Sequence, residues 1–513
     1  MPGGHKNKKM NAPNARSGTE LRESIATGSA SALSAELLSR IFYLFSVEVV
    51  EDLEWTGVLK VCRHWRLVGL RTHALWTNIN LIHGLSFMNI CLRRSGSMLV
   101  NVFAEEDDII PDLTDIIAYV ATHAHRIRSL RWEAEGIEAL VQSLNFVMPH
   151  LTHLTLGAEN GDDVVRDHVW KSSRDLFPCL RSLSLSGVDM EWSILSFTSL
   201  VGLQLGRLTR PKSMDDFLHL LQASPNLETL HVDYSAPSLV KNLEDMDVCE
   251  DEPDIPPPAW NLPLPKLQQL RLQDTTFNVK WLLSHLSIPS STTLSFIYPL
   301  EVGTEEYVDV DIISQAIPKD GSLSPILSLI QRLKIVVQRG GVYLDGFGGT
   351  ELEKPKLIMR FEDDFERDIE YLLPRVLREL GHVFRSSPIV VLEIAGDLSL
   401  DENSWRKTLQ CFPQLEHLEY NGDTIGLFKA LGSSPASPQT QEKIICPQLK
   451  RIHVVSGMWK DTVSAMHTGL AYREAQGMRL ESLSVRPRVR LNKKDLANLK
   501  SVAVGILDIE LDQ

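Results

Sequence analysis

Cysteine is scarce in this chain. Six residues in 513, widely separated, make neither a disulfide framework nor a zinc site, and they fit a reducing compartment, cytosol or nucleus. Long apolar runs are also missing: none approaches the ~18 residues that a membrane helix needs, so no membrane association is expected. The first 22 residues are polar and basic and hold no apolar core of a secretory signal. Positive charge is in deficit. Lys and Arg number 52 against 66 Asp and Glu, a formal charge of −14. That balance argues against a nucleic-acid binder, whose phosphate contacts need a cationic surplus. Catalytic signatures are lacking as well. The sequence holds no G-x-S-x-G elbow, H-E-x-x-H, Cys-x-x-Cys or Walker loop. His123 with His125, and His150 with His153, have no Cys or carboxylate at metal-ligand spacing. The expectation is a protein that is not an enzyme and takes no metal or cofactor.

What is present begins after a tail. Residues 1–32 have almost no large apolar side chain, and Lys6, Lys8, Lys9, Arg16 and Arg22 oppose only Glu20 and Glu23. Such a segment cannot offset the entropy of ordering and is expected to be disordered. Its His5–Lys9 cluster is read either as a nuclear address or as a solvated tail. From Leu33 the pattern changes. Ser34 is placed to cap a helix. Leu37, Leu38, Ile41, Phe42 and Phe45 then form an apolar stripe at helical spacing. A second stripe is Val58, Leu59, Cys62, Trp65 and Val68, and a third short element ends at Leu75-Trp76. Three short helices are short of core, so the surplus predicts an apolar face for a partner or for packing on the rest of the chain. The spacing leaves both open.

These runs resemble a known family. Leu33-Ser34-Ala35-Glu36-Leu37-Leu38-Ser39-Arg40-Ile41-Phe42 looks like the opening helix of an F-box. Val61-Cys62-Arg63-His64-Trp65-Arg66 resembles its V-C-x-x-W-R signature, and Ala74-Leu75-Trp76 its closing L-W. The variant is most similar to the F-box-like proteins expanded in mushroom-forming fungi. Those often continue with segments like Arg93-Arg94-Ser95-Gly96 and His125-Arg126-Ile127-Arg128-Ser129-Leu130, both present here. The likeness is close over residues 33–80 and looser to about 132. Ser34 stands where the family usually has Pro, and the linker from Glu48 to Glu54 is acidic for the family. The resemblance implies docking on a Skp-type adaptor and, through it, on the cullin of an SCF (Skp–cullin–F-box) ubiquitin ligase. The implied adaptor contacts are Leu33, Leu37, Leu38, Ile41, Phe42, Leu59, Cys62, Trp65 and Trp76. Some of these must also hold the helices together.

Beyond residue 120 one pattern dominates: Pro-x-Leu-x-x-Leu-x-(Leu/Val/Tyr). It starts at Pro149, Pro178, Pro225, Pro265, Pro413 and Pro447, and proline-free versions start at Ile127, Leu200, Ile330, Ile389 and Leu480. Two degenerate copies lie near Leu294 and Leu357. The apolar pair two residues apart predicts one face of a strand, with the positions between and before it facing outward. Those outward positions supply 22 residues, and 20 are polar, Gly202 and Val391 being the exceptions. A helix would not produce that alternation. The intervening segments Met214–Ala223, Asp368–Phe384 and Asp461–Ala475 read as amphipathic helices. Stacked strand–turn–helix units of this length predict a degenerate leucine-rich-repeat solenoid, with parallel strands inside and helices outside.

The predicted organisation is therefore an α/β chain: a disordered tail at 1–32, an F-box-like head at 33–80, a linker or first cap at 81–126, and the solenoid at 127–513. An acidic, then Pro-rich loop interrupts it at 244–265, with Trp260 as anchor or contact residue. Gly432–Gln441 reads as a Ser/Pro-rich loop and Gly340–Gly349 as a hairpin or loose turn. Arg486, Arg488, Arg490, Lys493 and Lys494 either solvate the last repeat or attract an acidic ligand. The outward strand residues make the predicted concave surface for an unknown target protein: Arg131, His153, Thr155, Ser184, Gln204, His231, Arg271, Lys334, Glu393, Glu419, Arg451 and His453. Four histidines on that face, His153, His231, His417 and His453, read as solvated side chains rather than a metal site. Two functions fit this organisation: the substrate-recognition subunit of an SCF-type ligase, cytoplasmic or nuclear, or a scaffold of the same build with no ligase role.

Overall fold

A computed structural model describes residues 33–48, 53–105, 109–157, 165–170, 175–190, 197–211, 213–237, 260–300, 312–318, 321–349, 354–362, 372–396, 400–432, 444–456, 460–487, 493–502 and 504–509. The expected tail, the acidic run before Trp260, most of the Ser/Pro-rich loop, and Arg488 and Arg490 lie outside the described residues. The chain divides into two compact units. The first runs to Thr155 and takes in Asp175–Cys179; the second holds Leu156–Arg174 and Leu180–Gln513.

The first unit opens with α1 (Ala35–Glu48). Ser34 caps it, its Oγ accepting the Leu37 N–H at 3.3 Å. A 3-10 turn at Leu53–Gly57 leads into α2 (Val58–Val61) and α3 (Arg63–Arg71). The second apolar stripe is thus two helices rather than one. Cys62 between them is extended, and its Sγ accepts the Trp65 N–H at 3.4 Å, so the chain restarts its helix with a new cap. A 3-10 turn at His73–Trp76 closes this group. Strand and helix then alternate: β1 (Asn78–Asn80), α4 (Gly84–Arg94), β2 (Val100–Ala104), α5 (Leu113–Thr122), β3 (Ile127–Trp132), α6 (Ile137–Ser143) and β4 (His153–Gly157), within which the two units meet in sequence. β1 pairs β2 and β2 pairs β3, both parallel, aligning Ile79 with Val102 and Val102 with Leu130. Parallel pairing therefore starts at Asn78, inside the stretch expected to be head and linker. Asn101 ties the ladder, donating to Asn78 Oδ1 at 2.6 Å and accepting from Arg128.

The second unit continues with β5 (Val165–Trp170), β6 (Ser182–Ser186), β7 (Val188–Met190), β8 (Gly202–Gly206), α7 (Met214–Gln222), β9 (Thr229–Asp233), β10 (Leu262–Pro263), β11 (Gln269–Gln273) and α8 (Thr276–Ser284). Next come β12 (Leu286–Ser287), β13 (Thr293–Pro299), α9 (Ile313–Ala316), α10 (Ser324–Leu327), β14 (Arg332–Gln338), β15 (Gly341–Phe347), β16 (Leu357–Glu362) and α11 (Leu373–Val383). The chain ends through β17 (Val391–Ala395), α12 (Glu402–Gln410), β18 (His417–Asn421), α13 (Ile425–Gly432), β19 (Arg451–Ser456), α14 (Lys460–Ala475), β20 (Leu480–Pro487), α15 (Lys493–Lys500) and β21 (Val504–Ile509). Pairing runs β6–β8–β9–β11–β13–β16–β15–β14–β17–β18–β19–β20–β21. Every pair is parallel except those of β15, which is antiparallel to β14 and β16.

The physical basis of the repeat is visible in each copy. The apolar pair is buried on every strand that carries it: Leu183 and Leu185, Leu230 and Val232, Leu270 and Leu272, Leu392 and Ile394, Leu418 and Tyr420, Ile452 and Val454. The leading proline sits at the second position of a β-turn. The turn closes from Leu227 N–H to the Ser224 carbonyl around Pro225, and equally from Leu267 to Leu264, Leu415 to Phe412 and Leu449 to Cys446. Proline presets φ there and withholds an N–H the turn does not use. Three of the helices begin on side-chain caps: Ser213 for α7, Thr275 for α8 and Asp401 for α12. The Ser404 hydroxyl and the Ser404 N–H both hydrogen-bond Asp401, and these bonds hold its carboxyl below the usual range.

The Gly-rich run is a hairpin. Gly340, at φ +83, takes the second place of a two-residue turn between Gln338 and Gly341. Gly341 then opens the seven-residue strand β15, which turns the local strand order back on itself.

Candidate functional site

In the first unit the nine residues matched to the adaptor contacts separate into three groups. Leu38, Phe42 and Trp76 are buried. Phe42 packs its ring 5.0 Å from that of Trp65; Trp76 meets Trp55 edge-on at 5.1 Å. The Trp76 indole N–H donates to the Gly69 carbonyl at 3.1 Å, and Arg94 lies 4.9 Å from its ring. Leu59, Cys62 and Trp65 are partly exposed. Leu33, Leu37 and Ile41 are open to solvent, at 37%, 53% and 47%.

The reason lies in the helix period. Leu38, Phe42 and Ser46 recur every four residues and face inward. Leu37, Ile41 and Leu44 project from the other side, with Leu44 57% exposed. Tyr43, Phe45 and Val47 on α1, Val61 at the end of α2 and Leu67 on α3 are exposed too, and none of these five is among the implied adaptor contacts. Phe45 belongs to the apolar stripe read from the sequence; the other four lie off it. An apolar face this broad gains about 25 cal/mol for each Å² it loses from water, and such faces mark interaction sites. Nearby, burial pushes the Cys91 thiol up to about 12, so it is no nucleophile at neutral pH. His123 is held below its usual value by burial and then by Arg126 and His125.

The outward strand residues expected to form the target surface divide between the units. Arg131, His153 and Thr155 belong to the first; Arg131 is ion-paired to Glu105 at 3.1 Å and to Glu133. In the second unit the register lines most of the others up. Ser184 faces Gln204, Gln204 faces His231 and His231 faces Arg271. Further along, Lys334 faces Glu393, Glu393 faces Glu419 and Glu419 faces His453. All of them are at least partly exposed. Arg451 lies one row away, opposite His417. Ser295, Ile358 and Asp345 fill the row between Arg271 and Lys334; Ser295 and Ile358 follow the two degenerate copies, whereas the repeat pattern does not reveal Asp345, because β15 carries no copy of it.

Electrostatics vary along this face. Burial, then Arg271, lowers the pKa of His231, so it is neutral near pH 7. Burial, then chiefly Arg451, does the same to His417. Burial raises Asp233, with Arg207 and Arg271 opposing. Glu393 is taken up by Arg332, at 2.5 Å. At the start of the strands a shallow depression of about 300 Å³ is lined by Arg181, Ser199, Val201, Asn226, Glu228 and Lys266. Trp260 rests on α7, its indole 3.4 Å from Asp215 Oδ1 and its ring 6.1 Å from His219.

Among the described residues no group of three or more His, Cys, Asp or Glu is placed to hold a metal ion, and no helix is long and apolar enough to cross a membrane. No protein-family model matches the chain, and no curated protein matches it in sequence.

Proposed function

We propose that this chain is the substrate-recognition subunit of an SCF-type E3 ubiquitin ligase. The first unit docks a Skp-type adaptor and, through it, a cullin; the leucine-rich repeats hold a target protein. The chain performs no chemistry itself. It raises the effective concentration of the target beside subunits that transfer ubiquitin. The observation that carries the reading is α1: the helix matching the F-box opening keeps Leu37, Ile41 and Leu44 in solvent while Leu38 and Phe42 build the interior. A helix with two apolar faces, one unused, is what a docking helix requires.

The test is a pull-down of purified Skp-type adaptor with the full chain. Wild type is expected to bind, and Leu37→Asp combined with Ile41→Asp to abolish binding. Absence of wild-type binding would overturn the ligase reading and leave a protein-binding scaffold; binding indifferent to the double variant would place the adaptor elsewhere.

A further inference from the structure

The exposed face of the second unit's sheet is largely polar, and most of its apolar side chains gather on β13 to β17, with Val455 and Ile506 lying outside that group. Across β13, β16, β15, β14 and β17 one row reads Ile297, Arg360, Tyr343, Val336, Ala395, each directly opposite the next. On either side the same row is polar again: Gln273 on β11 and Asn421 on β18. All five residues are partly exposed. Apolar side chains facing water on a sheet otherwise lined with Ser, Gln, His and Glu need an explanation beyond folding.

The stripe is also held rigid. Arg360 lies over the Tyr343 ring at 5.5 Å, donates to the carbonyls of Leu344 and Met359 at 3.1 Å each, and pairs with Asp345 at 2.6 Å. Two rows over, Arg332 stacks on Phe347 at 5.0 Å and pairs with Glu393. A fixed aromatic flanked by fixed guanidinium groups is the composition found where interfaces concentrate their energy. Rigid side chains lose little entropy on binding.

Charge selects the partner. Asp345 and Glu393 are neutralised by these arginines. Lys334, between them in the neighbouring row, is exposed and has no partner among the described residues. On that side of the stripe the uncompensated charge is therefore positive; one row away on the other side Glu362 is exposed, and its carboxylate likewise has no partner among the described residues. Ile358 and Phe347 widen the apolar surface on one side, but the Arg360–Asp345 and Arg332–Glu393 pairs stand among them, so a helix laid there would desolvate both pairs. An extended chain along the row covers less of them. Four strand spacings of about 4.8 Å make roughly 19 Å, the reach of about six extended residues.

We propose that this stripe is the specificity site for the target: it takes an extended segment that places an aliphatic or aromatic side chain against Tyr343 and a carboxylate on Lys334. The site rests on reading the sheet face as the target surface, not on the adaptor contact.

The test is selection of a phage-displayed random dodecapeptide library on the full chain. Enriched sequences are expected to carry an apolar residue with Asp or Glu within about two positions. Tyr343→Ser should weaken an enriched synthetic peptide at least about tenfold, and Lys334→Glu, a change at an exposed site, should switch the preferred charge from acidic to basic. Peptides lacking the pairing, affinities unmoved by both variants, or no enrichment would overturn the proposal. The Leu37→Asp, Ile41→Asp chain should select the same peptides, so failure of the adaptor reading is distinguishable from failure of this one.

Discussion

At the residue scale, the least legible features are charges that turn inward. Glu379 lies on α11 in a segment whose periodicity reads as an ordinary amphipathic helix, so a glutamate there belongs in water. The structure buries it to 1%. Its carboxylate accepts three consecutive backbone N–H groups at the start of α9, from Ile312 at 2.9 Å, Ile313 at 2.7 Å and Ser314 at 2.8 Å. The first N–H groups of a helix have no partner within it, and a carboxylate from 65 residues or more away supplies one. Glu379→Gln keeps the shape but replaces one acceptor oxygen with a donor and removes the charge. The expected cost is about 1.5–3 kcal/mol, read as a lower urea midpoint; an unchanged midpoint would show the cap carries no energy. Arg473 is a second case, 1% exposed and donating to the carbonyls of Ile445 and Cys446. Neither could be foreseen from sequence, because the partner is set by tertiary packing and not by local period.

At the element scale, α1 shows what periodicity gives and withholds. The spacing of Leu37, Leu38, Ile41, Phe42 and Phe45 identifies a helix and an apolar stripe. It cannot say which half of so wide a stripe meets the core, since neighbours in sequence lie only about 100° apart on the wheel. The structure assigns Leu38 and Phe42 to the interior. The two halves should then respond oppositely. Leu38→Ala removes a fully buried side chain and is expected to cost about 2–5 kcal/mol. Leu37→Asp or Ile41→Asp alters solvent-facing positions and is expected to stay within about 0.5 kcal/mol. Thermal denaturation of the three variants checks this. A large loss in Leu37→Asp would mean that its side of α1 is covered within the chain, and the docking face would have to be given up.

At the scale of the whole molecule, the strand order is where repeat logic bends. Parallel repeats should place each strand beside its predecessor in sequence, and from β6 to β13 and again from β17 to β21 the major strands obey that rule. Between them the chain order β13, β14, β15, β16, β17 becomes β13, β16, β15, β14, β17 in space. The outer members keep the parallel direction, and the strand between them must then run backwards. In sequence the copies near Leu294, Ile330 and Leu357 are legible, but their order is not, because no local pattern encodes a neighbour. The middle strand is obscured by Gly341, Gly346, Gly348 and Gly349, in a run that reads as a hairpin or loose turn with no sign of a third neighbour. Those glycines have specific work: a Cβ at Gly346 would sit 3.1 Å from Ile330, and one at Gly341 would be 2.9 Å from the Phe361 carbonyl. Hydrogen exchange separates strand from loop. Amides of 341–347, bonded to strands on both sides, are expected to exchange as slowly as those of 391–395 and far more slowly than those of 504–509, where β21 is paired on one side only among the described residues. Fast exchange across 341–347 would remove β15 from the sheet. With it would go the Tyr343 row, because Arg360 on β16 and Val336 on β14 are brought onto one stripe only by the strand between them.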